Sequence, residues 1–243
     1  MKCPGQDTQY WQPGAIYEEK CPACGAAIEF FKDDPSRKCP GCGKKVVNPR
    51  LDFGCAAYCP YAEQCLGTLP EEFFEKRRDL LKDRVAVEVK RYFKTDFKRI
   101  GHAAAVARHA EYIGKKEQGN LAVIMMAAYL HDIGIKRAEE KYNSAAARYQ
   151  ELEGPAVARE ILEKLGAEAA IIDEVCDIVG HHHHPRKDET LNFKVVYDAD
   201  LIANLEEKHK DDPMDKDQLE KIIARSFLTD AGKARAREVL GSS

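Results

Sequence analysis

The stretch Leu121-Ala122-Val123-Ile124-Met125-Met126-Ala127-Ala128-Tyr129-Leu130-His131-Asp132-Ile133-Gly134 decides the fold of the larger part of this chain. Its first ten residues are apolar almost all round and contain no proline, which predicts a helix at the centre of a bundle instead of one lying on its surface. An imidazole and a carboxylate follow at its end. Burying a carboxylate is costly unless it is paired or bound to a cation, so Asp132 needs a partner. Other helices supply candidates. His102 follows Arg99-Ile100-Gly101 at the opening of one helix. Asp200 sits in the otherwise apolar Val196-Tyr197-Asp198-Ala199-Asp200-Leu201, and His181-His182-His183-His184 precede Pro185 at the end of another.

Outward from this segment, the sequence from Leu69-Pro70-Glu71-Glu72 onward is rich in Ala, Leu, Glu, Lys and Arg and poor in proline, the composition of helices. Helices are predicted near 71–93, 97–117, 120–132, 155–166, 168–181, 191–208, 215–228 and 230–239. Pro155, Gly166 and Pro185 punctuate them, and Lys208 to Lys216 reads as a charged loop. No long strand pattern follows Val47 and no internal repeat appears. The expected fold class is mainly α, an all-helical bundle preceded by a small metal-bound domain.

The cysteines mark that small domain. Eight of the nine lie within residues 1 to 65 and only Cys176 lies beyond, so two domains are expected, 1–69 and 70–243. The chain opens Met-Lys-Cys-Pro without a leader pattern, and no apolar run approaches the roughly 20 residues that span a bilayer. A cytoplasmic protein with no membrane partner is expected. In a reducing compartment clustered cysteines hold metal more often than they form disulfides. Cys21-Pro-Ala-Cys24-Gly and Cys39-Pro-Gly-Cys42-Gly are two knuckles whose glycines allow a tight turn, so that two thiolates from each converge on one ion. Ala27-Ile28-Glu29-Phe30-Phe31 reads as a strand, with Val46-Val47 as its partner. The arrangement resembles a zinc ribbon, which implies a structural zinc held by Cys21, Cys24, Cys39 and Cys42.

Cys3, Cys55, Cys59 and Cys65 remain, enough for a second closed site holding zinc or an iron–sulfur cluster, with free thiols as the alternative. Residues 1 to 65 carry eight Lys and Arg against eight Asp and Glu, and the whole chain has a formal net charge of -3. A nucleic-acid reader needs a basic excess for phosphate contact, so nucleic acid is not the expected partner. Tyr10, Trp11 and Tyr17 are expected to pack a tiny core, and the ribbon to dock a protein partner or stabilise the fold.

The ordered set His102, His131-Asp132 and Asp200 resembles the HD-domain metal-dependent phosphohydrolase superfamily over roughly residues 95 to 210. The resemblance implies that these four residues ligate a divalent ion, with Asp132 able to bridge to a second, and that His131 and Asp132 are central to catalysis. Two-metal members add a His before Gly in the next helix and one or two His at the helix end after that. His181 and His182 fill the latter role, with His183 and His184 in the loop beyond, at least one of them facing solvent or supporting a ligand. Glu153, before Gly154, stands where the intermediate His is often found, a departure that leaves one or two ions of manganese, magnesium, iron, cobalt or nickel open. The implied activity is hydrolysis of a small phosphorylated substrate, a phosphomonoester or phosphodiester and in particular a nucleotide, by a metal-activated water. Lys136, Arg137, Arg148 and Arg186, with Lys187 beyond, are the candidate cations for substrate phosphate.

Other residues have plainer readings. His109 is expected to be packed or on the surface and Cys176 to be a small core residue. Asp198 is a candidate partner for a ligating His, and Asn204, one turn after Asp200, a residue facing the same pocket. Two rival functions stay open: an HD-type di-iron oxygenase, which would suit a carboxylate at Glu153, and a nucleotide-sensing regulatory module signalling through the ribbon.

Overall fold

The computed structural model describes residues 16–31, 34, 36–50, 71–211 and 214–241. Tyr10, Trp11 and the four cysteines of the expected second site, Cys3, Cys55, Cys59 and Cys65, lie outside the described residues. The chain divides into two compact units, Met1–Arg77 and Arg78–Ser243.

In the first unit, β1 (Ile16–Lys20) pairs antiparallel with β2 (Ala27–Phe31), Tyr17 standing opposite Phe30. In the same way β3 (Ser36–Lys38) pairs with β4 (Lys45–Val47), Arg37 opposite Val46. Each hairpin turns on one cysteine knuckle. The expected pairing of residues 27–31 with Val46-Val47 is therefore corrected: each strand pairs across its own knuckle, because the short turn closes a local loop at little entropic cost. Ile16-Tyr17-Glu18-Glu19-Lys20 hid from the sequence reading because three of its five residues are charged and none is fully buried. Cys21, Ile28, Phe30 and Cys39 form the core, with Tyr17, Ala26 and Val46 against them. Buried Asn48 joins the two hairpins: it accepts from the Tyr17 hydroxyl and the Arg50 amide (2.9 Å) and donates to the carbonyls of Phe31 (3.2 Å) and Asp34 (2.9 Å).

Nine helices follow among the described residues: α1 (Glu71–Phe93), α2 (Phe97–Glu117), α3 (Leu121–Leu130), α4 (Ile135–Tyr142), α5 (Ala147–Leu165), α6 (Ala169–Val179), α7 (Leu191–Asp211), α8 (Lys216–Ser226) and α9 (Asp230–Leu240). The protein is mainly α. Asp96 starts α2 by accepting from the Arg99 amide, and Asn120 starts α3 by accepting from those of Ala122 and Val123, each satisfying donors that a helix start leaves free. α3 is the central rod, packed on α2, α6 and α7, with Val123, Ile124, Met125, Met126, Ala127, Ala128 and Leu130 all buried. No helix among the described residues is long and apolar enough to cross a membrane.

Three segments depart from the expected helices. α4 was unforeseen, and α5 begins eight residues before Pro155, which lies inside it. The early turns of α5 bury Gln150, Glu153 and Gly154, so no apolar periodicity signals them. α7 also runs through Lys208 to Asp211, shortening the charged loop.

Candidate metal centres

The four knuckle sulfurs come together in the first unit. Cys21 Sγ lies 3.7 Å from Cys42 Sγ and Cys24 Sγ lies 3.5 Å from Cys39 Sγ, each pair drawn from opposite knuckles. Zn–S bonds of about 2.3 Å in a tetrahedron put sulfurs roughly 3.8 Å apart, whereas a disulfide needs about 2.05 Å. The spacing is that of ligands around an ion. Gly25 and Gly43, after the second cysteine of each knuckle, have φ of 74° and 72°, the left-handed region that favours glycine. Amides of Ala23 and Cys24 pull the Cys21 thiol down to about 6 against its burial. The Ala26 amide lowers Cys24 too, but the neighbouring sulfurs of Cys39 and Cys42 outweigh it and push that thiol up to about 12. Four thiolates so close would repel one another, and a cation among them would offset that repulsion.

The second unit gathers imidazoles and carboxylates where α2, α3, α7 and the turn after α6 meet. Two groups have ligand atoms within 4.8 Å of one another: His102, His131 and Asp200, and Asp132, His182 and His183. The first is drawn from α2, the end of α3 and α7. The second is drawn from the turn after α3 and the turn after α6. Asp132 faces both: Oδ2 lies 3.4 Å from His131 Nε2, and Oδ1 lies 3.6 Å from His182 Nε2. His131 Nε2 is also 3.5 Å from Asp200 Oδ1.

Buried His131 and His182 carry the strongest sign of metal ligation. His131 Nδ1 donates to the Ala128 carbonyl (2.8 Å), and His182 Nδ1 to that of Val179 (3.0 Å). A carbonyl only accepts, so the proton sits on Nδ1 and the neutral ring aims an Nε2 lone pair at the carboxylates. Both Nε2 atoms are buried without a hydrogen-bond partner, as is His183 Nδ1. A divalent cation fits these donors. Without one, burial works against a charge on His131, but Asp132 and Asp200 prevail and hold its pKa well above the ordinary imidazole value. Burial likewise opposes ionised Asp132 and Asp200, yet the imidazoles beside them keep both carboxyls below the usual carboxylate range. The site stores charge that a bound ion would replace.

The turn that carries Asp132 makes one close backbone approach to α5. A methyl at Gly134 would stand 2.2 Å from the Gln150 carbonyl oxygen and 2.6 Å from the Gly154 nitrogen. Only a glycine lets the turn carrying Asp132 press against α5 in this way.

Several sequence candidates have other employment. Glu153 joins neither group; it is ion-paired to Lys141 (2.6 Å) and accepts from the Tyr142 hydroxyl (3.0 Å), partners supplied by the unforeseen α4. His181 also stays out. Its Nδ1 donates to the Asp177 carbonyl (2.5 Å), its Nε2 meets Glu189 (3.0 Å) and its ring stacks on Phe193. His183 takes part instead, while His184 binds Glu151 (2.9 Å). Arg137 is held by Glu160 (2.8 Å) and Arg186 by Asp177 (2.8 Å). Lys136 stands over the Tyr92 ring and Arg148 over that of Tyr149. His109 is buried against Glu206 (2.8 Å), and Cys176 is buried beneath the Pro155 carbonyl. Asp198 turns away from the ligands and accepts from the amides of Leu228 and Thr229 (both 2.8 Å) and the Thr229 hydroxyl (2.7 Å), burial pushing its carboxyl up to about 6. Asn204 faces the pocket, donating to Asp200 Oδ1 (3.0 Å).

Two carboxylates escaped the sequence reading. Glu207 Oε1 lies 3.2 Å from His102 Nδ1, and its place seven residues after Asp200, two turns along one helix face, was the available signal. Glu151 accepts from the His183 amide (3.0 Å), and only the fold places it beneath the histidine run.

A helical bundle with His and Asp side chains gathered at the junction of its central helices defines the class of protein. Residues 99–205 match the family model of the HD domain and share its helical fold. Among solved structures, the chain is similar to a protein described as a predicted HD superfamily hydrolase from an uncultured Thermotogales bacterium. The identity is 21% over 65% of this chain and 84% of that one, with a TM-score of 0.48. It is also similar to Bacillus subtilis YpgQ, 20% identical over 68% of this chain and 90% of that one, with a TM-score of 0.46. No curated protein matches the chain.

Proposed function

We propose that the helical domain is a metal-dependent phosphohydrolase of small phosphomonoesters or phosphodiesters, with a nucleotide as the expected substrate. One observation supports it above the others: Asp132 turns one oxygen toward each of two buried imidazoles whose Nε2 atoms have no hydrogen-bond partner. His102, His131, Asp132 and Asp200 would hold one ion, and Asp132, His182 and His183 a second. Imidazole-rich donors suit manganese, iron, cobalt or nickel better than magnesium, which prefers oxygen. Such ions supply Lewis-acid charge for phosphoryl oxygens and acidify a water.

The protein's own groups supply geometry. Backbone carbonyls fix the rings of His131 and His182, and Asn204 orients Asp200. His131 is 1% exposed, whereas the Asp132 side chain is 20% exposed, so a substrate phosphate reaches the centre from the Asp132 side. The cysteine centre has no open position and four sulfur ligands, which favours structural zinc, with the ribbon stabilising the fold or docking a protein partner in a cytoplasmic setting. The oxygenase reading leaned on Glu153, whose oxygens are taken by Lys141 and Tyr142.

The test is turnover of p-nitrophenyl phosphate, bis-p-nitrophenyl phosphate and a nucleotide panel with each divalent metal. Hydrolysis is expected, and Asp132→Ala should lower it roughly a thousandfold or more, as loss of metal charge at a phosphoryl centre implies. Tight nucleotide binding without turnover under any metal would replace this reading with the sensor. Iron-dependent oxygen uptake would replace it with the oxygenase.

A further inference from the structure

Each of the two candidate ligand groups contains one histidine that is not oriented by a backbone carbonyl. His131 and His182 are fixed by Ala128 and Val179, partners that no substitution removes. His102 and His183 rest on side chains. His102 Nδ1 meets Glu207 Oε1 at 3.2 Å while Nε2 faces Asp200 at 3.0 Å, so the ring is held edge-on between a carboxylate outside the group and one inside it. At His183, Glu151 Oε1 accepts from the backbone amide at 3.0 Å and stands 3.6 Å from the unpartnered Nδ1. The same Glu151 carboxylate is pinned by His184 Nδ1, at 2.9 Å from Oε2 and 3.1 Å from Oε1. The two carboxylates belong to different helices, Glu207 to α7 and Glu151 to α5, and neither belongs to a ligand group.

We propose that Glu207 and Glu151 are positioning residues, each setting the ion affinity of one group independently of the other. This rests on the two-ion reading above. Glu207 keeps the His102 proton on Nδ1, which leaves Nε2 free for an ion and makes the ring a better donor. Glu151 holds the turn after α6 so that His183 faces Asp132 and His182. His184, 67% exposed, acts on the second group through Glu151, besides the edge contact of its ring with that of His183.

The experiment uses the full chain and manganese alone, with bound ion counted by the loss of free Mn2+ signal in electron paramagnetic resonance. His182→Ala leaves the first group as the only intact one, and His102→Ala leaves the second. Adding Glu207→Ala should weaken Mn2+ binding roughly 10- to 100-fold in the His182→Ala background, the usual cost of losing a ligand-orienting partner, and leave it nearly unchanged in the His102→Ala background. Glu151→Ala should do the reverse. Glu207→Gln and Glu151→Gln keep an acceptor oxygen and should recover most of the affinity, a rescue that also controls for misfolding. Equal weakening in both backgrounds, or none in either, overturns the inference while the two-ion reading stands. A single-group background that binds no Mn2+ overturns that ion site, and the two-ion reading with it.

Discussion

The two candidate centres of this chain are built in opposite ways. The four sulfurs come from two turns between Cys21 and Cys42, each turn closing its own hairpin around a core that, among the described residues, has four buried members. The imidazoles and carboxylates come from residues 102 to 200, and a core of forty buried residues, counted among the described residues, carries them into register. Where the core is too small to fold unaided, the ion must supply the folding energy. Where the core is large, the protein can hold costly groups in place, including three buried imidazole nitrogens with no hydrogen-bond partner, which an ion would use.

The sharpest way to break this contrast is to remove sulfur ligands. Cys21→Ser with Cys24→Ser should unfold the ribbon, since structural zinc contributes on the order of 10 kcal/mol of folding free energy, while helical-domain manganese binding and thermal unfolding persist. Equal loss of metal from both regions would show that they fold as one unit. A backbone change comes next. Gly134→Ala drives a methyl into the Gln150 carbonyl and should destabilise the helical domain by about 1–3 kcal/mol or more in denaturant unfolding. A neutral result would mean that the close approach of the Asp132 turn to α5 does not position the site.

A smaller effect appears in the pH dependence of the chelated protein. The raised pKa of His131 gives stability that is fully present below its ordinary value near 6.5 and is lost as pH rises through the raised one. The depressed pKa values of Asp132 and Asp200 give stability fully present above the ordinary carboxylate value of about 4 and lost as pH falls through the lowered ones. Tm measured in chelator should therefore be highest between roughly pH 4 and 6.5 and should fall on the alkaline side. Saturating Mn2+ should reverse the alkaline limb, because ion and proton compete for the same nitrogens. An alkaline limb that stays flat in chelator would contradict the charge assignment. The smallest effect belongs to Glu153→Gln, expected to change metal count and turnover by less than the roughly tenfold cost of a ligand-orienting group. Loss of an ion from this variant would return Glu153 to the ligand set.

Legibility in the sequence followed the same divide. C-x-x-C-G names both the ligands and the turn that positions them, so the knuckles could be read residue by residue. The buried rod from Leu121 and the His131-Asp132 pair at its end were equally plain, because apolar periodicity and a costly buried carboxylate are local facts. Glu153 and Glu151 were not separable by such reasoning. They lie two residues apart on one helix, about 200° around its axis, and only the helix's neighbours determine which meets Lys141 and which meets the histidine run. His181 and His183 pose the same question at a helix end.

By itself the sequence determined a helical bundle with a cysteine-rich N-terminal module, and candidate metal ligands in both, since residue type, spacing and periodicity act over a few turns of chain. Tertiary structure decided which carboxylate and which histidines gather in the second candidate group, which cations are already paired, and that Glu207 and Glu151 stand beside His102 and His183. Those choices depend on which side chains packing brings within about 3 Å of each other, a distance at which hydrogen bonds form and which spacing along the chain does not by itself fix.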